Sequence, residues 1–320
     1  MPLAQRLALP AVWLLVIALF GALEADTFLT SANFQTIFGS QAVLAVLTLG
    51  LLLPLTAGDY DLSVASVLSL STMVTALLNV NQGWPVGLAV LTALGCAALV
   101  GVVNGLLVVL VDLDSFITTL GTGAFVAGVV LWISGSETVG GISDSLVDPV
   151  ITWDLLGIPL AFWYGLVLCA GLWYVLEFTP LGRRLLFTGR GRSVARLSGV
   201  RVGRARFGAL VVAASIAGLA GVLYAGTNGG ADPSSGGNFL LPAYAGAFLG
   251  ATSIAPGRFN AWGALIAVYF LVTGVTGLQL LGVESFVQQL FYGGALVVAV
   301  VASRLVRGAP RITRGEIADG

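Results

Sequence analysis

Positive charge in this 320-residue chain comes from arginine alone, and eight of the fourteen arginines lie between Arg183 and Arg206. Guanidinium groups at that density can meet acidic or carbonyl groups on a partner, or the headgroups of anionic lipid. The chain has no lysine, so it has no phosphate-binding loop of the G-x-x-x-x-G-K-[ST] type and does not hydrolyse ATP by that route. It has no histidine, which removes the HExxH zinc site, the Ser-His-Asp triad and the histidine proton relay. No catalytic or metal-binding constellation remains, so an enzyme is not expected. Cys96 and Cys169 fall mid-span and read as small buried side chains rather than a disulfide or metal ligands.

The elements that carry these residues are membrane helices. The chain is 58% apolar and 9% charged, with a mean hydropathy of +1.00. A bilayer core about 30 Å thick needs roughly 20 apolar residues per helical crossing. Apolar runs lie near 7–23, 40–57, 62–80, 85–111, 115–134, 158–178, 207–226, 242–254, 261–282 and 284–303. They predict an all-α membrane protein of about ten transmembrane helices, and no barrel periodicity is present. Alternating through ten spans from Arg6 puts every arginine on one side. Glu24, Asp26, Glu137, Asp144, Asp148, Asp154, Asp232 and Glu284 then share the other. By the positive-inside rule both termini are cytoplasmic. The first span lacks a small-x-small cleavage site around Leu23-Glu24-Ala25 and reads as an uncleaved helix. Residues 1–320 read as one membrane domain, with a cytoplasmic loop 179–206, an outer loop 134–157 and a short cytoplasmic tail 304–320.

Two places interrupt the apolar runs with turn-formers and polar groups: Gly58-Asp-Tyr-Asp-Leu-Ser63 and Ala255-Pro-Gly-Arg-Phe-Asn260. Non-helical backbone at membrane depth is tolerated only where it is buried in protein or lines a wet cavity, so both breaks point to a pathway. One span, 158–178, separates spans 2–5 from spans 7–10, so any repeat of these blocks would be inverted. Small-xxx-small patterns at Gly101–Gly105 and Ala217–Gly221 suit close helix packing. Only Asp59, Asp61, Asp112 and Asp114 approach span ends within the apolar pattern, and none is mid-span. Ion-coupled carriers keep ionisable groups in the bilayer core, so an energy source on another chain fits better.

Thr179-Pro-Leu-Gly-Arg-Arg184 ends span six, with Pro180 and Gly182 as stops. Ser193–Gly199 reads as a short helix capped by Ser193 and closed by a left-handed Gly199. From the residues alone, this segment is either a topogenic basic loop or a lever inserted into a cytoplasmic motor subunit.

The motifs Thr179-Pro-Leu-Gly-Arg-Arg184, Ala195-Arg-Leu-Ser-Gly-Val-Arg-Val202 and Ala217-Gly-Leu-Ala-Gly-Val-Leu223 resemble the permease subunits of ribose/monosaccharide-type bacterial ABC importers. Gly58-Asp-Tyr-Asp-Leu-Ser-Val64 is similar to that family's Gly-Gly-Ile-Asp-Leu-Ser-Val signature. Asn104-Gly-Leu-Leu107, Phe116-Ile-Thr-Thr-Leu-Gly-Thr122, Phe248-Leu-Gly-Ala-Thr-Ser253 and Gly282-Val-Glu-Ser-Phe-Val-Gln288 follow in consistent order. The resemblance implies a second permease copy (identical or a paralogue), two ABC ATPase subunits carrying ATP and Mg, and an extracytoplasmic solute-binding protein. This chain itself would hold no cofactor. Arg192, Ser193, Val194, Ala195, Arg196, Leu197, Ser198 and Gly199 would form the coupling helix that contacts the ATPase. Asp61, Ser63, Asn104, Thr118, Thr119 and Asn260 are the pathway candidates, since hydroxyl and amide groups exchange hydrogen bonds with a hydrated polyol without holding it tightly. Ser and Thr can instead bond back to their own helix, and Asp61 can cap span three. Asp59 and Tyr60 depart from the signature, and Asp112-Leu-Asp-Ser115 replaces the usual basic and proline-rich turn. The implied function is import of a monosaccharide or similar polyol across the bacterial cytoplasmic membrane. Permeases for branched-chain amino acids or nucleosides, and a stand-alone secondary carrier, are the competing readings. The acidic loop 134–157 either helps receive the binding protein or serves topology alone.

Overall fold

The computed structural model describes residues 3–307, so the tail expected at 304–320 lies outside them beyond residue 307. The described chain is helical apart from its turns and four two-residue strands. Its main elements are α1 (Leu3–Leu23), α2 (Ala42–Ala57), α3 (Val64–Ala76), α4 (Val86–Val109), α5 (Ser115–Ser134) and α6 (Leu160–Phe178). These are followed by α7 (Pro180–Arg190), α8 (Arg192–Leu197), α9 (Val202–Asn228), α10 (Gly237–Gly250), α11 (Ala261–Leu280) and α12 (Ser285–Arg307). Among the described residues, eight helical stretches are long and apolar enough to cross a membrane, and α12 adds a shorter apolar stretch, Phe286–Ala302. The segment expected to span at 242–254 is α10 instead. Its 14 residues reach only about 21 Å, short of a core about 30 Å thick.

The chain before α10 explains its length. Gly229, at φ 60°, ends α9, and the next residues fold back into the bundle rather than away from it. The Gly236 N–H donates to Ser69 Oγ at 2.9 Å, and a Cβ on Gly236 would collide with the Ala65 carbonyl oxygen. Ser69 lies ten residues, or about 15 Å, along its helical stretch from Asn79. Asn79 Oδ1 accepts the Ser143 N–H from the loop opposite the arginines. Residues 229–236 therefore dip to mid-depth from the outer end, and α10 starts there.

Helix packing carries the repeat. Helix α2 packs on α9, α10 and α11, while α9 packs on α2, α3 and α4. Within the first block α3 meets α4 and α5, and α4 meets α5. Within the second, α10 meets α11 and α12, and α11 meets α12. Exchanging α2–α5 for α9–α12 maps each of these pairs onto another, as an inverted repeat requires. The small-residue patterns are the contact surfaces. A Cβ on Gly101 would come within 2.8 Å of Val211 Cα and Ala214 Cβ, and one on Gly221 would meet the Leu68 carbonyl and the Ser71 side chain.

The cytoplasmic segment differs from its expected form in two places. Span six ends at Phe178, just before Pro180, as expected, but Gly182 is not a stop: Thr179 caps its N–H, and Pro180 occupies the first turn of α7, where its missing N–H has no cost. Ser193 does not cap α8, because Gly191 holds the cap position and the helix begins at Arg192. The other end is as expected. Gly199 is left-handed at φ 78°, with Val200 N–H on the Ala195 carbonyl and Gly199 N–H on that of Arg196, a Schellman closure. At the outer end, loop 134–157 is folded. Val139–Gly140 pairs antiparallel with Gly230–Ala231, and Asp154–Leu155 with Ile158–Pro159.

Candidate functional site

The turn between α2 and α3 gathers a cluster of buried polar groups from the first block. Gly58, at φ 81°, lets α2 end in a left-handed residue, and Gly189 of α7 packs directly on this end. A Cβ on Gly189 would strike the Thr56 carbonyl oxygen, so the two elements touch backbone to backbone. Asp59, 1% exposed, then receives three guanidinium contacts. Arg206 of α9 donates Nε to Oδ2 at 2.8 Å and Nη2 to Oδ1 at 2.7 Å, and Arg192 of α8 donates Nη2 to Oδ1 at 2.9 Å. Arg192 also reaches the Gly58 carbonyl at 3.3 Å. The first residue of α8 is thus ionically tied to the turn at 58–63.

Two residues on, a directional chain of hydrogen bonds runs inward. Thr122 Oγ1 donates to Asn104 Oδ1 at 2.6 Å, Asn104 Nδ2 to Ser63 Oγ at 2.8 Å, and Ser63 Oγ to Asp61 Oδ1 at 2.6 Å. The Ser63 N–H reaches the same Oδ1 at 3.0 Å, so Asp61 takes the turn's own N–H rather than capping α3. Tyr244 of α10 accepts the Asp61 N–H at 3.0 Å, and Thr119 Oγ1 accepts the Leu62 N–H at 2.9 Å. Asp61, Ser63, Asn104 and Thr119 are all fully buried. Asp61 Oδ2 has no hydrogen-bond partner among the described residues.

Four of the six pathway candidates therefore converge, and two do not. Thr118 bonds back to the Asp114 carbonyl at 2.7 Å on its own helix. Asn260 sits at the other break, where it caps Gly263 N–H at 2.8 Å and ties the Gly250, Ser253 and Arg258 carbonyls at 3.1 Å each. Sequence reasoning did not anticipate Arg206, Thr122 or Tyr244 at this site. A lone acid beside the break and an arginine at the start of the next block's first helix were the available signals.

Burial pushes the Asp61 carboxyl up to about 6, against the two Ser63 hydrogen bonds that pull it down. An acid raised in the fold costs no stability below its unfolded value of 3.8, and the cost is complete above about 6. Asp61→Asn keeps an acceptor for Ser63 and removes the charge. Its gain in melting temperature should be largest above about pH 7 and shrink toward about pH 4. Thermal melts of the purified chain across that range would read it, and a gap independent of pH would contradict it.

The surface of α8 is the second feature of the site. Ala195 is buried, whereas Val194 is 66% and Leu197 90% exposed. These two apolar side chains are left uncovered by the rest of the chain on an otherwise basic surface.

A family model described as the branched-chain amino acid transport system / permease component matches residues 33–300. The D-allose transport system permease protein AlsC of Escherichia coli (strain K12) is 32% identical over 292 residues, covering 91% of this chain and 89% of that protein. The ribose import permease proteins RbsC of Escherichia coli (strain K12) and Bacillus subtilis (strain 168) are each 30% identical, over 294 and 296 residues, covering 90% and 92% of both chains respectively. No solved structure matches the chain. This multi-pass protein of the bacterial cytoplasmic membrane is a transport subunit rather than an enzyme, and it belongs to the family of branched-chain amino acid transport system / permease components.

Proposed function

We propose that this chain is the membrane gate of an ATP-driven importer for a monosaccharide or similar small polyol. Relatives that cover 90% or more of it include permeases named for D-allose and ribose, which favours a sugar over the amino acids of the family's description. The coupling role rests on one observation: α8 presents Val194 and Leu197 outward while Arg192, at its first turn, grips Asp59 beside the polar chain. Residues 192–199 seat in an ABC ATPase, which carries the ATP and Mg, and two such subunits serve a pair of permease copies, identical or paralogous. Closure of the ATPases moves α8, and the Arg192–Asp59–Arg206 link passes that motion to the turn at 58–63. A solute-binding protein delivers the sugar on the opposite face, where Glu137, Asp144 and Asp154 of the folded outer loop are exposed. Asp61, Ser63, Asn104 and Thr119 border the pathway, with Thr118 and Asn260 bracing the helices that frame it.

The test is reconstitution with a cognate ATPase and solute-binding protein. Uptake of labelled D-ribose or D-allose should require ATP and both partners. Uptake without ATP would make the chain a secondary carrier, and uptake of leucine or uridine instead of any sugar would overturn the substrate class.

A further inference from the structure

The turn at 58–63 has a counterpart that the packing symmetry locates. If α2 corresponds to α9 and α3 to α10, the turn after α2 corresponds to residues 229–236. The two share the pattern G-x-x-D-x-S: Gly58, Asp61 and Ser63 in one, Gly229, Asp232 and Ser234 in the other. Both glycines close their helices in the left-handed conformation, at φ 81° and 60°. Both aspartates accept two hydrogen bonds on Oδ1 from the serine two residues on. The distances are 3.0 Å from N and 2.6 Å from Oγ at Ser63, and 2.7 Å and 2.6 Å at Ser234. Each turn is also braced by a hydroxyl from the other block: Tyr244 of α10 on Asp61 N–H, Ser69 of α3 on Gly236 N–H.

Their surroundings differ. The inner turn is shut, with Asp61 and Ser63 fully buried and Asp61 Oδ2 unpartnered. The outer turn is open, with Ser234, Gly237 and Asn238 exposed and Asp232 half-buried. Asn238, on the first turn of α10, and Ser66, half-buried beside the Ala65–Gly236 contact, make no side-chain hydrogen bond among the described residues. Asn238, two residues past the Gly236–Ser69 contact, lies at mid-depth, where lipid is a poor neighbour for a bare amide, so this face borders water. Half-helix ends near the midplane are where transporters of inverted-repeat design contact their solute.

We propose that Asp232–Ser234 and Asp61–Ser63 are the outer and inner members of one pair of solute-contacting turns, and that the structure has the outer open and the inner shut. Each carboxylate has one oxygen fixed by its turn and offers the other as acceptor for a sugar hydroxyl. Asn238 and Ser66 supply neutral donors and acceptors at the outer member. An amino acid's ammonium and carboxylate would need a cationic partner as well, and neither turn offers one to the solute: both guanidinium groups near the inner turn are spent on Asp59. This assignment rests on the monosaccharide reading above.

Cysteine accessibility in the complete transporter, assembled in lipid nanodiscs with Cys96 and Cys169 replaced by alanine, tests it. Ser234→Cys and Asn238→Cys should react with a charged methanethiosulfonate in the nucleotide-free complex, whereas Leu62→Cys in the inner turn and Leu91→Cys on the apolar face of α4 should not. Across nucleotide-free, ATP-bound and vanadate-trapped complexes, at least one state should expose Leu62→Cys and shield Ser234→Cys. Asn238→Ala should weaken the sugar concentration dependence of uptake about fivefold, the worth of one neutral hydrogen bond. Unreactive Ser234→Cys and Asn238→Cys, an unchanging pattern across the three states, or unaltered sugar dependence in Asn238→Ala would each overturn the proposal. If the parent imports no sugar, the substrate reading fails, while the labelling still decides whether the paired turns alternate.

Discussion

Asp59→Ala should leave little folded protein. Arg206 is 5% exposed at its side chain, and Asp59 supplies both of its short contacts. Removing one partner of a buried pair leaves an uncompensated charge and typically costs about 3–5 kcal/mol, a large part of a protein's net stability. Replacing both, as in Asp59→Leu with Arg206→Leu, should recover most of the loss, because an apolar pair of similar volume has no charge to desolvate. Arg192→Gln provides the contrast. Its side chain is 44% exposed and the Asp59–Arg206 pair survives, so melting should change by about 0–1 kcal/mol. Transport per ATP hydrolysed should nevertheless fall, since the tie from α8 to the break is cut. Melting temperature and recovered monodisperse protein read the first pair of variants. An Asp59→Ala chain that melts with the parent would show that the buried pair contributes nothing.

Leu197→Asp should abolish most uptake while leaving the chain itself intact. Leu197 is 90% exposed and packs on little of its own protein, so folding has almost nothing to lose. An apolar anchor at the centre of a docking surface is commonly worth about 2 kcal/mol or more, roughly a thirtyfold loss of affinity. Co-purification with the ATPase and ATP-driven uptake should fall together, with membrane insertion and melting unchanged. Arg196→Ala should act in the same direction and more weakly, because a rim charge mainly changes association rate. Full uptake by Leu197→Asp would remove α8 from the coupling role.

Much of this architecture was legible. The arginine distribution, the ten apolar segments, the left-handed Gly199 and the small-residue faces each follow from local chemistry with one solution. Asp61, Ser63, Asn104 and Thr119 were recognisable as costly polar groups in an apolar setting. Their long-range partners were not, because pairs such as Asn104 with Ser63 and Asp61 with Tyr244, 41 and 183 residues apart, meet only through helix packing. Asp59 looked like a local departure from a signature, and Arg206 like one more charge in a basic loop. Their pairing depends on α9 lying against α2 and α3. The half-helix α10 was misjudged because hydropathy measures composition, not depth. The Gly-rich stretch before it counted as an outer loop, and the repeated G-x-x-D-x-S pattern went unnoticed beside longer motifs.

The short ladder joining Val139–Gly140 to Gly230–Ala231 sets how force can travel. Asp232 follows its last rung directly, so the rim and the re-entrant stretch are strung on one cord. Whatever seats on the rim takes hold of that cord a single residue above the open carboxylate. In the importer proposed above, a binding protein seated on that rim would pull first on the stretch that leads into α10.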